Sequence, residues 1–171
     1  MGITNRIFSI GIYILIRFSK GYQPIAGYNF GSKNTESLKS ATKISIKWST
    51  IFAIVLAITQ IIFSKQLVSL FSNNSEVIMI ASKALIAYSL MLPSFGFQII
   101  IMTLFLAIGD AKNGFLLSIC RQGIFLIPLV LLLPIFLNLN GVIVSQPLAD
   151  LFTTIFTFTI AININKKILA N

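Results

Sequence analysis

Histidine is absent from this sequence, cysteine occurs once, as Cys120, and the acids of its 171 residues are four: Glu36, Glu76, Asp110 and Asp150. Without histidine there is no Ser–His–Asp or Cys–His nucleophile and none of the usual zinc ligand sets. One cysteine makes no intrachain disulfide framework, and Cys120, at the start of a hydrophobic block, reads as a small packing residue. Hydrolytic chemistry has little to work with. Neither a catalytic residue, a metal site nor a bound cofactor is expected.

Charge of either sign is also short. Charged residues make up 10% of the chain, against about 25% in a typical soluble domain. Hydrophobic residues make up 56%, and the mean hydropathy is +0.92. No water-facing surface can be built from that inventory, so lipid has to face much of the chain. The net charge of +9 does not indicate a nucleic-acid partner. Its lysines and arginines lie mainly between hydrophobic blocks, and no continuous basic face is interleaved with aromatics.

Five such blocks are present, at about 7–31, 44–63, 84–108, 115–136 and 142–164, each suited to a transmembrane helix. The fold class that follows is all-α: a polytopic helical membrane protein. In the first block Arg17 and Lys20 require a watery cavity, a partner or the interface. Asn34 and Thr35 followed by Glu36 suggest a helix start, after which Lys39, Lys43 and Lys47 share one face toward lipid headgroups, with Trp48 as interfacial anchor. Ser64 to Glu76 reads as a polar connection ending in a helix cap. Ala84 to Ile108 carries no charge, and Pro93 and Gly96 predict a kink near its middle. Gly109 to Gly114 is a tight hairpin turn, and Leu137 to Gly141 turns the chain again.

Lysines count toward one side. The 33–47 connection, the 109–114 turn and Lys166–Lys167 alternate with joints that hold little besides Lys65 and Lys83. The positive-inside rule therefore puts the carboxy terminus in the cytoplasm and the amino terminus outside the cell membrane. An external start without a targeting segment suggests that a front portion is missing.

Several motifs carry a family resemblance. Gly21-Tyr22-Gln23-Pro24-Ile25-Ala26-Gly27-Tyr28-Asn29-Phe30-Gly31 resembles the end of the eighth helix of multidrug and toxin extrusion (MATE) transporters of the multidrug-export branch. Leu92-Pro93-Ser94-Phe95-Gly96-Phe97-Gln98 is similar to their tenth helix, and Ala107 to Lys112 to the loop after it. Arg121 to Pro128 resembles the eleventh helix. Leu139 to Val142 and Gln146 to Asp150 resemble the start of the twelfth. The resemblance implies part of one six-helix lobe, with the first lobe and the seventh helix as the missing partner. It also implies export of lipophilic organic cations by sodium or proton antiport, through a cavity between the lobes. The span Ile78 to Ile108 holds no acid, so no sodium ligand carries over to it.

Each site residue has two readings. Asp150 lies roughly 12 Å into the last span at ~1.5 Å per residue, and an intramembrane carboxylate costs ~2.5–3.5 kcal/mol on insertion scales, so it should avoid lipid. It is either a proton or cation site or a hydrogen-bonding partner of a neighbouring helix. Gln98 and Tyr88 are candidates for a substrate cavity; interhelical bonding suits Gln98 equally and interfacial anchoring suits Tyr88. Gln23, Pro24, Gly27, Asn29 and Gly31 form a gate or hinge motif with GxxxG spacing, broken just before it at Gln23-Pro24. Arg121 reads as an interface anchor. A related lipid-linked oligosaccharide flippase and a non-transporting interaction subunit are the alternative functions.

Overall fold

The computed structural model describes the backbone from Gly2 to Leu169 and side chains through Ile162. The side chains of Lys166 and Lys167, whose charges entered the side count, lie outside the described residues. Among those described, the chain is helical throughout, with no strand: α1 (Gly2–Gly31), α2 (Thr35–Ile62), α3 (Ser64–Ser69), α4 (Ser75–Ser89), α5 (Leu92–Ala107), α6 (Ala111–Ile119), a π-helical segment (Cys120–Phe125) and α7 (Leu126–Leu169).

Helix α1 buries Thr4, Ile7, Phe8, Gly11, Leu15, Ser19, Tyr22 and Ala26, a stripe at helical spacing. The expected break at Gln23-Pro24 is not there, and α1 runs through Pro24 unbroken. Pro24 lies on the exposed side of the helix, where its ring displaces no packed neighbour. The helix stops later, at Lys33, whose φ of 56° is left-handed. The Lys33 N–H donates to Phe30 O and the Asn34 N–H to Asn29 O, closing a Schellman turn. Asn34 then caps α2 by accepting from the Ser37 N–H at 3.1 Å.

The polar connection after α2 contains one short helix, α3, and Asn74 caps α4 by accepting from the N–H groups of Glu76 and Val77. The third hydrophobic block differs from expectation. It is two helices, α4 and α5, bent by 48° at Leu90–Met91, and the break precedes Pro93 instead of centring on Pro93 and Gly96. Pro93 stands in the first turn of α5, where its missing N–H costs nothing, so the helix restarts there instead of kinking further on. Gly109 at φ 79° makes the next turn, and Asp110 caps α6.

Helix α7 carries a non-helical residue, Asn138, at φ 49° and ψ −129°. There the chain doubles back. The Ser145 hydroxyl of the second arm reaches the Leu129 carbonyl of the first at 3.1 Å, and Gly141 lies against the Leu133 carbonyl.

Helix α5 is the centre of the bundle and is buried on almost every side, including Leu92, Phe95, Gly96, Gln98 to Ile101 and Thr103 to Phe105. Around it the core joins α1, α2 and α4 through Leu15, Ala26, Ala53, Leu85 and Ile100. The outside is as apolar as the inside. Ile44, Trp48, Ile51, Phe52, Val55, Ile58 and Ile62 form an exposed stripe along α2, and Ile135 and Phe136 near the α7 break are 72% and 81% exposed. An apolar surface of this extent fits hydrocarbon. Helix α2 and the stretch Ala111–Ile162 are long and apolar enough to cross a bilayer, and the bent α4–α5 pair makes a third, broken span. The stretch folds back at Asn138, which divides it into two arms, each of spanning length. Helix α1 is of spanning length and carries Arg6, Arg17 and Lys20 at exposed positions.

Candidate functional site

The last arm of α7 puts Asp150 in the protein interior, where its side chain is 1% exposed. Hydrocarbon at that depth would favour any neighbour able to neutralise it. Arg121 does so: its Nε–H donates to Asp150 Oδ1 at 2.8 Å. Arg121 lies in the π-helical segment, where a wider turn rotates the side chains relative to an unbroken α-helix. The structure thereby corrects the reading of Arg121 as an interface anchor. Its side chain is 12% exposed, and its guanidinium carbon lies 4.3 Å from the centre of the Phe95 ring on α5.

Gln98 fastens the same region to α5. Its Nε2 donates both to the Asp150 backbone carbonyl at 3.1 Å and to Thr154 Oγ1 at 2.7 Å. The Thr154 hydroxyl donates to that carbonyl as well. Asp150 is therefore held through its side chain by the π segment and through its backbone by α5. Its second oxygen, Oδ2, is buried and has no hydrogen-bond partner among the described residues.

In front of the pair is a cavity of about 370 Å³ between α1, α5, α6, the π segment and α7. That volume is in the range of small-molecule sites. Its polar wall comprises Ser9, Gln98, Ser118, Arg121, Gln122, Thr153 and Thr157; Tyr13, Phe95 and aliphatic side chains make up the rest. Thr153 and Thr157 each donate to the carbonyl four residues earlier, which leaves their oxygen lone pairs for the cavity.

Of the residues singled out in the sequence, Gln98 is on this wall and Asp150 stands directly behind it. Tyr88 is elsewhere. It is 5% exposed and meets Phe8 edge-on, with ring centres 5.5 Å apart. The motif of Gln23, Pro24, Gly27, Asn29 and Gly31 is at the other end of α1 from the cavity, which α1 lines between Ser9 and Ile16. Within it Gln23 accepts from Lys20, Asn29 bonds the Ile25 carbonyl, and Gly27 passes near the Ala107 carbonyl. Sequence reasoning passed over Ser9, Thr153 and Thr157. For the threonines a signal existed, since with Asp150 and Thr154 they form a polar stripe at helical spacing in an apolar span. No group of three or more histidine, cysteine or acidic side chains comes together among the described residues.

A family model, MatE, matches residues 1–132. The FAD transporter of Shewanella oneidensis is 25% identical over 173 residues, which cover 99% of this chain and 37% of that protein. The multidrug export protein MepA of Staphylococcus haemolyticus is 24% identical over 98% of this chain and 36% of its own. Among solved structures, an outward-facing multidrug resistance MATE family transporter superposes with a TM-score of 0.93 at 18% identity, covering 99% of this chain and 39% of that one. The MATE multidrug transporter DinF-BH in complex with R6G gives 0.87 at 32% identity over 95% and 36%. This chain thus spans somewhat more than a third of the length of the proteins it matches.

Proposed function

Because the chain belongs to the MatE family and is built as part of one lobe of that membrane-transporter fold, we propose that it contributes that lobe to a cation-coupled antiporter exporting lipophilic or cationic drugs or toxins across the cell membrane. The observation behind this reading is the cavity between α1, α5, α6, the π segment and α7, open enough for a small molecule and walled by a few polar groups among apolar ones. The facing wall would come from a partner portion carrying the first lobe and the seventh helix. Sodium or protons would supply the driving force.

The relatives differ in the cargo their names give, FAD for one and drugs for another. Cargo class then has to be decided by the cavity's own side chains. Asp150 fits a structural counter-ion better than a coupling site, because Arg121 already neutralises it. The Gln23 to Gly31 segment fits a hinge at the membrane surface, away from the cargo.

The test is efflux of a lipophilic dye from cells expressing residues 1–171 alone or together with a chain carrying the partner portion. The expected result is no efflux alone, and efflux from the pair that stops when the sodium and proton gradients are collapsed. Dye export by the 171-residue chain alone would overturn the half-lobe reading. A correctly inserted pair that moves no dye under any gradient would overturn the antiport reading.

A further inference from the structure

We propose that Arg121 makes this cavity an acid-recognition site, holding the carboxylate or phosphate group of an amphipathic organic acid. The proposal rests on the transport reading for its biological setting and replaces, for this cavity, the organic-cation cargo that the family resemblance implies with an acid.

The argument is one of orientation. Arg121 carries five N–H donors, and among the described residues its hydrogen bond to Asp150 uses only Nε–H. Arg121 itself lines the cavity, whereas Asp150 does not. The ion pair is therefore polarised across the wall. Its positive end faces the cavity and its negative end, including the unpartnered Oδ2, is turned into the protein. No aspartate or glutamate is on the wall to attract a cation. The Phe95 face, which would otherwise suit a cationic cargo, is occupied by Arg121 itself. Gln98 has committed both N–H groups to Asp150 and Thr154, so its carbonyl oxygen remains as an acceptor. A ligand with an acid group for Arg121 and an N–H or O–H donor for Gln98 meets both. A guanidinium fork is the side chain best matched to a planar carboxylate or a phosphate.

Fluorescence titration of the full 171-residue chain in phosphatidylcholine nanodiscs tests this, with dansylglycine as the acid probe and dansylglycinamide as its uncharged counterpart. Dansylglycine should bind at least about 10-fold more tightly than the amide, as one charge-assisted hydrogen bond allows. Arg121→Gln should remove that preference and leave amide binding in place. Since Arg121→Gln strands a buried carboxylate, the neutral double variant Arg121→Gln with Asp150→Asn serves as the folding control and should behave the same way. The discriminating variant is Asp150→Asn alone. It frees the Arg121 charge for the cavity and should tighten dansylglycine binding several-fold, whereas a pair that is only structural would give no gain. Displacement of the probe by phosphatidylglycerol added to the discs would assign the acid group to a lipid headgroup. Persistence of binding would assign it to a soluble acid.

Equal affinity for acid and amide, or an acid preference that survives loss of Arg121, would overturn the proposal. Either result leaves dye efflux by the paired lobes untouched. Conversely, acid binding without efflux would count against transport alone.

Discussion

Gly96 and Ser49 meet where α2 and α5 approach closely. A Cβ on Gly96 would stand 2.9 Å from the Ser49 carbonyl oxygen, and the Ser49 hydroxyl already bonds the Gly96 carbonyl at 3.0 Å. Backbone cannot swing aside as a flexible side chain can. Gly96→Ala should push the two helices apart and cost about 1–3 kcal/mol, the range for overpacking. A fall in Tm in detergent checks this, and an unchanged Tm would show that α2 and α5 pack less closely. Gly27→Ala provides the contrast. Its Cβ would meet the Ala107 carbonyl at 3.6 Å, an ordinary contact, so the change should not destabilise and, by removing a glycine inside a helix, should raise stability by about 0.5–1 kcal/mol. If Gly27→Ala abolishes dye efflux from the assembled transporter without lowering Tm, the hinge role of that segment is supported; unchanged efflux removes it.

At this same scale the sequence disclosed some residues and hid others. Asp150 and Gln98 were visible because polar groups are rare in these spans and each has to be satisfied. Arg121 was misread. Depth from the block end suggests snorkelling, but hydropathy carries no sign of a π turn, and the partner that draws the guanidinium inward is 29 residues away in sequence. Tyr88 has the residue type of a cavity wall, yet burial against Phe8 depends on a helix far removed in the chain.

Among the elements, the caps of α2 and α4 were the readable part. Asn34 and Asn74 each accept from a nearby backbone N–H, a local interaction that short polar runs announce on their own, whereas the Asp110 cap of α6 lay inside what reads only as a turn. The bend between α4 and α5 was placed too late, because proline disturbs the turn before it and not the one it occupies. The second arm of α7 depends on Asn138 at φ 49° and ψ −129°, a conformation that costs a residue bearing a Cβ about 1–3 kcal/mol. Asn138→Gly relieves that strain at an entropic cost of about 0.5–1 kcal/mol, so a net gain of about 1 kcal/mol is expected. Asn138→Val should destabilise by a similar amount, since β-branching adds crowding in the left-handed region. Thermal unfolding of the two variants should therefore bracket the parent. If both fall below it, Asn138 contributes through its amide and not through its backbone.

For the whole molecule, the remaining question is which end of the bundle faces the cytoplasm, and packing supplies an argument independent of hydropathy. Gly27, near the end of α1, passes the Ala107 carbonyl at the end of α5, so the 32–34 and 108–110 turns lie on one side. Gln60, near the end of α2, donates to the Ile7 carbonyl, and Thr4 donates to that of Ala81, which gathers the start of α1, the end of α2 and the first turns of α4 on the other. The first side carries Lys33, Lys39, Lys43 and Lys112; the second carries Arg6, Lys65 and Lys83. Translocating lysines is unfavourable, so the richer side should remain cytoplasmic. In a Cys120→Ser background, which removes the sole cysteine, single cysteines replacing Lys39 or Lys112 should resist a membrane-impermeant maleimide in intact cells and react after lysis. Cysteines replacing Lys65 or Asn140 should react from outside. If Lys112→Cys labels in intact cells as readily as Lys65→Cys, the helices do not alternate across the bilayer as packed here. A uniform reversal of all four sites would keep the packing and show that charges in a partner portion, not those of this chain, set its orientation.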